Sequence, residues 1–227
     1  MLHYQEKERY KMFKLFFTLF SLVTLINALE IQKSPIEFGD LRIKLTQEYI
    51  KMRYNLDVSD ITIVPQIVMI HYTGVDDFAV SKARLEPSLL PSDRPDISRG
   101  GAVNVSAHFL VERDGTIHQL MPLDFMARHV IGLNYSAIGI ENVGGANHKK
   151  NLTAAQLLSN IKLIRSLKEQ FPTIAYVAGH SEYRCFEKTE LWLEKDTKYR
   201  TQKQDPGDAF MKELRSALKG FKGAPCD

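Results

Sequence analysis

Apolar residues along this chain switch between two periods. Over 40–53, DLRIKLTQEYIKMR, they fall at Leu41, Leu45, Tyr49 and Met52, the spacing of one helical face. Ile67-Val68-Met69-Ile70 is a short unbroken apolar run, the mark of a strand buried on both faces. Residues 76–86 read as a helix and 91–104, PSDRPDISRGGAVN, as a turn-rich loop. The stretch 106–120 reads as a hairpin: a strand over 106–112, Asp114-Gly115 at the turn, and a return strand over 116–120. SAIGIENV, 136–143, predicts another buried strand.

Thr153-x-x-Gln156 is a capping box. It opens a helix with Leu157, Ile161, Ile164 and Leu167 on its apolar face, ending before Pro172. Residues 174–178 predict one more strand, running into Gly179-His180. Asp205-Pro206 predicts a last helix with proline at its first position and Phe210, Leu214, Ala217 and Leu218 inward. Strands alternating with helices predict one α/β domain: a central mixed β-sheet flanked by helices on both faces.

Composition adds little to this picture. Of 227 residues, 44% are hydrophobic and 25% charged, which suits one substantial core. The formal net charge is only +3, with no dense basic block beyond the N-terminus, so nucleic acid is not an expected partner.

The N-terminus does change the picture. Charged residues over 6–14 precede Leu15–Ile26, LFFTLFSLVTLI, which carries no charge. As a helix these twelve residues rise about 18 Å, short of a ~30 Å hydrocarbon core. The arrangement predicts a signal peptide over 1–28, with cleavage after Ala28, or else an uncleaved anchor. Export follows, and any membrane contact runs through that segment alone. Cys185 and Cys226 would then meet an oxidising compartment and could pair; the other reading is two free thiols. Residues 29–38 read as a leader ahead of the first helix.

The candidate chemistry sits where strands stop. His71 follows IVMI directly, and His180 follows the strand at 174–178 in the same way. Imidazoles at the ends of neighbouring strands can converge, and Asp205 could join them. Two nitrogens and a carboxylate with a fourth position open form a catalytic zinc set. On pattern alone the alternatives stand: two satisfied polar histidines, and Asp205 as a plain helix N-cap.

Five pieces, in order, carry a resemblance over about 150 residues: IVMIHYTG, VSAHFLVERDGTIHQLMP, ARHVIGLNYSAIGIENVGG, GHSEYR and KQDPGDAF. They are similar to the zinc-dependent N-acetylmuramoyl-L-alanine amidases of the AmpD and peptidoglycan-recognition-protein superfamily, amidase type 2. The resemblance implies a catalytic domain over 66–218, with 29–65 before it and a tail at 219–227. It implies one zinc ion held by His71, His180 and Asp205. It makes Glu141 the carboxylate that takes a proton from the attacking water and Lys203 the cation that stabilises the oxyanion. It turns His129 and Asn134 toward substrate. His108 and His118 read as structural or as supports behind the site residues, His3 and His148 as merely exposed.

Two departures matter. The 24 residues between His180 and Asp205 form a long insertion whose Trp192 and Tyr199 could wall a groove, or which is only an ornament. Some relatives place a catalytic tyrosine just before the hairpin histidine; here that residue is Ala107, which favours chemistry through Glu141. The implied function is hydrolysis of the amide between N-acetylmuramic acid and L-alanine in peptidoglycan or muropeptides, in the periplasm or outside the cell. The alternatives are a peptidoglycan-binding module without catalysis and a zinc hydrolase of another amide.

Overall fold

The computed structural model describes residues 29–226, so the export segment predicted over 1–28 lies outside the described residues. From Ile31 on, the described residues cluster as one unit built on a six-stranded sheet. In chain order the main elements are β1 (Ile31–Lys33), α1 (Asp40–Tyr54), β2 (Ile67–Tyr72), α2 (Phe78–Leu85) and α3 (Pro95–Ser98). There follow β3 (Phe109–Val111), β4 (Ile117–Gln119), β5 (Ala137–Asn142), α4 (Ala154–Gln170), β6 (Tyr176–Gly179) and α5 (Asp208–Ala217). The strand order is β1-β4-β3-β5-β2-β6. Only β3 and β4 pair antiparallel; the other four pairings are parallel, so the predicted mixed sheet is present.

The unbroken apolar run becomes a central strand. β2 has β5 on one side and β6 on the other, and Ile67, Val68, Met69 and Ile70 are fully buried. A strand covered on both faces has no solvent side to make polar, which is why its sequence does not alternate. Registry sets the site: His71 lies opposite Glu141 on β5, and Ile70 opposite Gly179 at the end of β6. His180 therefore emerges one step beyond, level with His71.

Helix α4 covers one face. Leu163, Ile164 and Leu167 are buried, each contributing about 1.5–3 kcal/mol against the unfolded chain. Its predicted capping box is formed: the Gln156 amide donates to Thr153 Oγ1 and the Thr153 amide to Gln156 Oε1. Gln156 Nε2 also donates to the carbonyls of Val111 and Val143, locking the helix start onto β3 and β5. Met211 of α5 meets the same face at Gly179. The other face carries a core of Ile67, Met69, Leu133, Ala137, Tyr183 and Phe186, with α1 packed through Tyr49 and Ile50 on the adjoining cluster.

Three expectations need correction. Leu41 and Met52 of α1 are about half exposed, while Arg42, Thr46 and Ile50 are buried. Arg42 tolerates burial because its guanidinium donates to the carbonyls of Glu37, Leu85, Glu86 and Pro87. The segment ahead of α1 is not a loose leader: β1 pairs with β4, and Ile36 is buried. The last helix begins at Asp208 behind Gly207, not at Asp205; a cis Asp205–Pro206 peptide precedes it. Asp205 is thus no N-cap.

The long insertion is fastened at several points. A 3₁₀ turn over His180–Phe186 opens it, braced by Glu182, which accepts from the Gly179 amide. Cys185 is disulfide-bonded to Cys226, whose tail also runs along β6 through Lys222. Arg53 makes a bidentate ion pair with Glu194 at 3.0 and 2.7 Å, both side chains almost fully buried. Tyr183 closes the loop end by exchanging hydrogen bonds with the backbone of Thr201.

Candidate functional site

The ends of β2 and β6 and the turn at Asp205 open onto a cavity of about 330 Å³. On its floor His71 Nδ1 and His180 Nδ1 stand 2.9 Å apart. One oxygen of Asp205, Oδ2, lies 2.9 Å from His180 Nδ1 and 3.3 Å from His71 Nδ1. The three ligand atoms lie within 4.8 Å of one another, and all three residues are buried. The structure thus brings the three predicted ligands together across a gap of 24 residues, and they could hold a metal ion.

The electrostatics suit a cation. Burial and the neighbouring His180 push the His71 imidazole down to about 4, so the ring is neutral at physiological pH. Burial would raise the Asp205 carboxyl, but the two histidines outweigh it and hold the group ionised, well below the usual range.

Glu141 ends β5 beside this group. Its Oε2 is buried without a hydrogen-bond partner. Burial, with the Asp205 charge added, pushes the carboxyl up to about 8, opposed by Lys203 and Arg94. A cation among His71, His180 and Asp205 counters the Asp205 charge and favours the carboxylate. An orphaned carboxyl oxygen beside the Asp205 charge is costly to bury unless something positive arrives. This is the feature by which the residues present fit a metal ion.

Lys203 is half-buried on the cavity wall, and its charge acts on both His71 and Glu141. His129 and Asn134 also border the cavity, yet Asn134 is wholly buried and His129 only 9% exposed. Asn134 Oδ1 accepts from the amides of His129 and Val130, and its Nδ2 donates to Tyr49 Oη. His129 Nδ1 lies 3.0 Å from His71 Nε2.

The two aromatic residues of the insertion part ways. Tyr199 lines the cavity, with the Arg53 guanidinium over its ring at 4.3 Å. Trp192 packs against Gly132 instead, where a Cβ would come within 2.7 Å of its ring. His108 is structural: Nδ1 accepts from the Gly139 amide and Nε2 donates to the Phe125 carbonyl. His118 bonds Ser34 and Glu112. His148 is exposed as expected, but it also edges the cavity near Tyr72.

Sequence reasoning passed over Arg94 and Tyr49. Arg94 lines the cavity and acts on Glu141, but it lies in a turn-rich loop with no pattern to single it out. Tyr49 did carry a signal, since a buried tyrosine hydroxyl needs a partner.

Comparison with known proteins places this geometry. Residues 62–208 match the family model described as N-acetylmuramoyl-L-alanine amidase, Amidase_2. The endolysin of Klebsiella phage KP32 is 33% identical over 84 residues, covering 35% of this chain and 56% of that protein. The endolysin of Enterobacteria phage K11 is 30% identical over the same length. The match thus spans about half the length of these curated relatives. In fold, the chain is similar to the amidase LysC from Clostridium intestinale, with TM-score 0.52 and 20% identity, over 86% of this chain and all of that one. It is similar to a selenomethionine AmpD derivative, with TM-score 0.53 and 21% identity, over 85% of this chain and 96% of that one. The family match covers well over half of the sequence, and His71, His180 and Asp205 all lie within it: the chain belongs to the Amidase_2 family of N-acetylmuramoyl-L-alanine amidases.

Proposed function

We propose that this chain is an exported zinc amidase that hydrolyses the bond between the lactyl group of N-acetylmuramic acid and L-alanine. Peptidoglycan or its muropeptide fragments are the substrate. The observation that carries the reading is the convergence of His71 Nδ1, His180 Nδ1 and Asp205 Oδ2 on a cavity floor, within a member of this family. Two imidazole nitrogens and one carboxylate are a zinc donor set that leaves a coordination position open. One ion per chain would be held by these three residues.

When bound, the ion supplies Lewis-acid chemistry, lowering the pKa of a water and polarising the scissile carbonyl. Glu141 takes the proton from the attacking water. It returns that proton to the departing L-alanine nitrogen as the carbon–nitrogen bond breaks. The absence of a hydrogen-bond partner at Oε2 leaves that oxygen free for both transfers. Lys203 faces the negative charge that builds on the carbonyl oxygen; such a fixed charge in a partly dry cavity lowers the barrier. His129 and Asn134 shape the floor on which the substrate rests. Export is supported by the Cys185–Cys226 disulfide, a bond that persists in oxidising compartments.

The test is cleavage of a defined muropeptide by the zinc-loaded chain and its Asp205→Ala variant, with free N-terminal L-alanine as the product. The variant loses zinc and turnover together. Full turnover in the variant contradicts the ligand set.

A further inference from the structure

His129 is held on both sides in a way that substrate contact does not explain. Its Nε2 lies 3.3 Å from the Ala137 carbonyl, and its Nδ1 lies 3.0 Å from His71 Nε2. A carbonyl oxygen only accepts, so the His129 proton sits on Nε2. The ring is buried, and among the described residues no carboxylate forms an ion pair with it, so it stays neutral. Nδ1 then offers a lone pair, and His71 Nε2–H donates to it. That leaves the His71 Nδ1 lone pair toward His180 Nδ1, 2.9 Å away, while Asp205 Oδ2 takes its hydrogen bond from His180 Nδ1 at 2.9 Å and stands farther from His71 Nδ1, at 3.3 Å.

The frame that places the ring is equally specific. Asn134 Oδ1 accepts from the His129 and Val130 amides at 2.8 Å each, and Tyr49 holds Asn134 from α1. Below the ring Gly139 has no side chain; a Cβ there would approach the imidazole to 2.8 Å. The chain Tyr49–Asn134–His129–His71 thus runs from a helix into the metal-binding group.

We infer that His129 is a positioning residue that sets the tautomer and ring orientation of His71, presenting Nδ1 as the metal ligand. The inference rests on the proposed metal site for its purpose, but not for its tautomer. A hydrogen bond to the far nitrogen of a ligating histidine fixes which nitrogen is free and raises its basicity.

The experiment has two readouts independent of turnover. The first is the ¹⁵N chemical shifts of the His71 ring in the metal-free protein. The second is zinc affinity, measured by competition with a chromophoric chelator. In the wild type, His71 carries its proton on Nε2. His129→Leu yields mixed tautomers and zinc binding weaker by about 10- to 100-fold. His129→Asn, whose amide oxygen replaces the Nδ1 acceptor, recovers most of the affinity and serves also if the leucine variant does not fold. A His71 proton on Nδ1 in the wild type overturns the inference. Unchanged affinity in His129→Leu does so as well, while leaving the proposed function intact. A wild type that binds no zinc removes the proposed function itself.

Discussion

Glu141 stands directly across from His71, its register partner on the neighbouring strand, with Oε2 buried and unpartnered. A side-chain oxygen in that position that makes no structural bond fits the proton-transfer role proposed for Glu141. Glu141→Gln keeps the shape and removes the proton acceptor. It should bind zinc as the wild type does and lose about 10²- to 10⁴-fold in turnover. Metal analysis and muropeptide kinetics on one preparation check this; wild-type turnover would move the base elsewhere.

Lys203 shares the cavity with these two residues and acts on both electrostatically. Lys203→Met should lower kcat by about 10²- to 10³-fold, the scale for one lost oxyanion contact, with KM changed much less. A loss confined to KM would make Lys203 a substrate anchor instead.

The pH dependence of folding follows from the buried histidines. Burial holds His108 down at about 4, against 6.5 when unfolded, so the native state disfavours its proton. The unfolded chain binds more protons between those values. Stability is fully present above pH 6.5 and is lost as pH falls toward 4, by on the order of 3 kcal/mol from this residue alone. His108→Gln in the metal-free protein should be less stable than wild type at pH 7.5, and the gap should narrow at pH 4.5. Urea unfolding at the two pH values measures it; a constant gap would contradict the buried neutral state.

The Cys185–Cys226 bond ties the turn after His180 to the C-terminal tail, closing a sequence separation of 41 residues. Replacing both cysteines by serine should cost about 2–4 kcal/mol, chiefly by freeing the unfolded chain. Urea midpoints with and without reductant read it. An effect on the wild type that the double variant also shows would exclude the disulfide as its source.

Much of this was legible in the sequence, for identifiable reasons. Residues 67–70 and 136–143 declared buried strands because parallel neighbours leave no face for polar residues, and Thr153 with Gln156 declared a helix start. The convergence of His71, His180 and Asp205 was legible because strand ends deliver side chains to one edge of the sheet. What stayed hidden depended on partners distant in the chain. Leu41 and Met52 lost the core to Arg42, whose burial needs four carbonyls from 37 and 85–87. The helix start expected at Asp205 moved to Asp208 because Asp205 turns toward His71 and His180. Trp192 and Tyr199 looked alike in the insertion, and only packing separates the one on Gly132 from the one in the cavity. The edge strand at 31–33 is three residues long, too short for any period to emerge.

The most direct measurement takes the chain from residue 29 onward and reads metal content and muropeptide cleavage on the same sample, beside Asp205→Ala. The account predicts about one zinc per chain and a peptide released with free N-terminal L-alanine, both lost in the variant. A chain that cleaves the muropeptide equally well without zinc, or with Asp205 replaced, would contradict it.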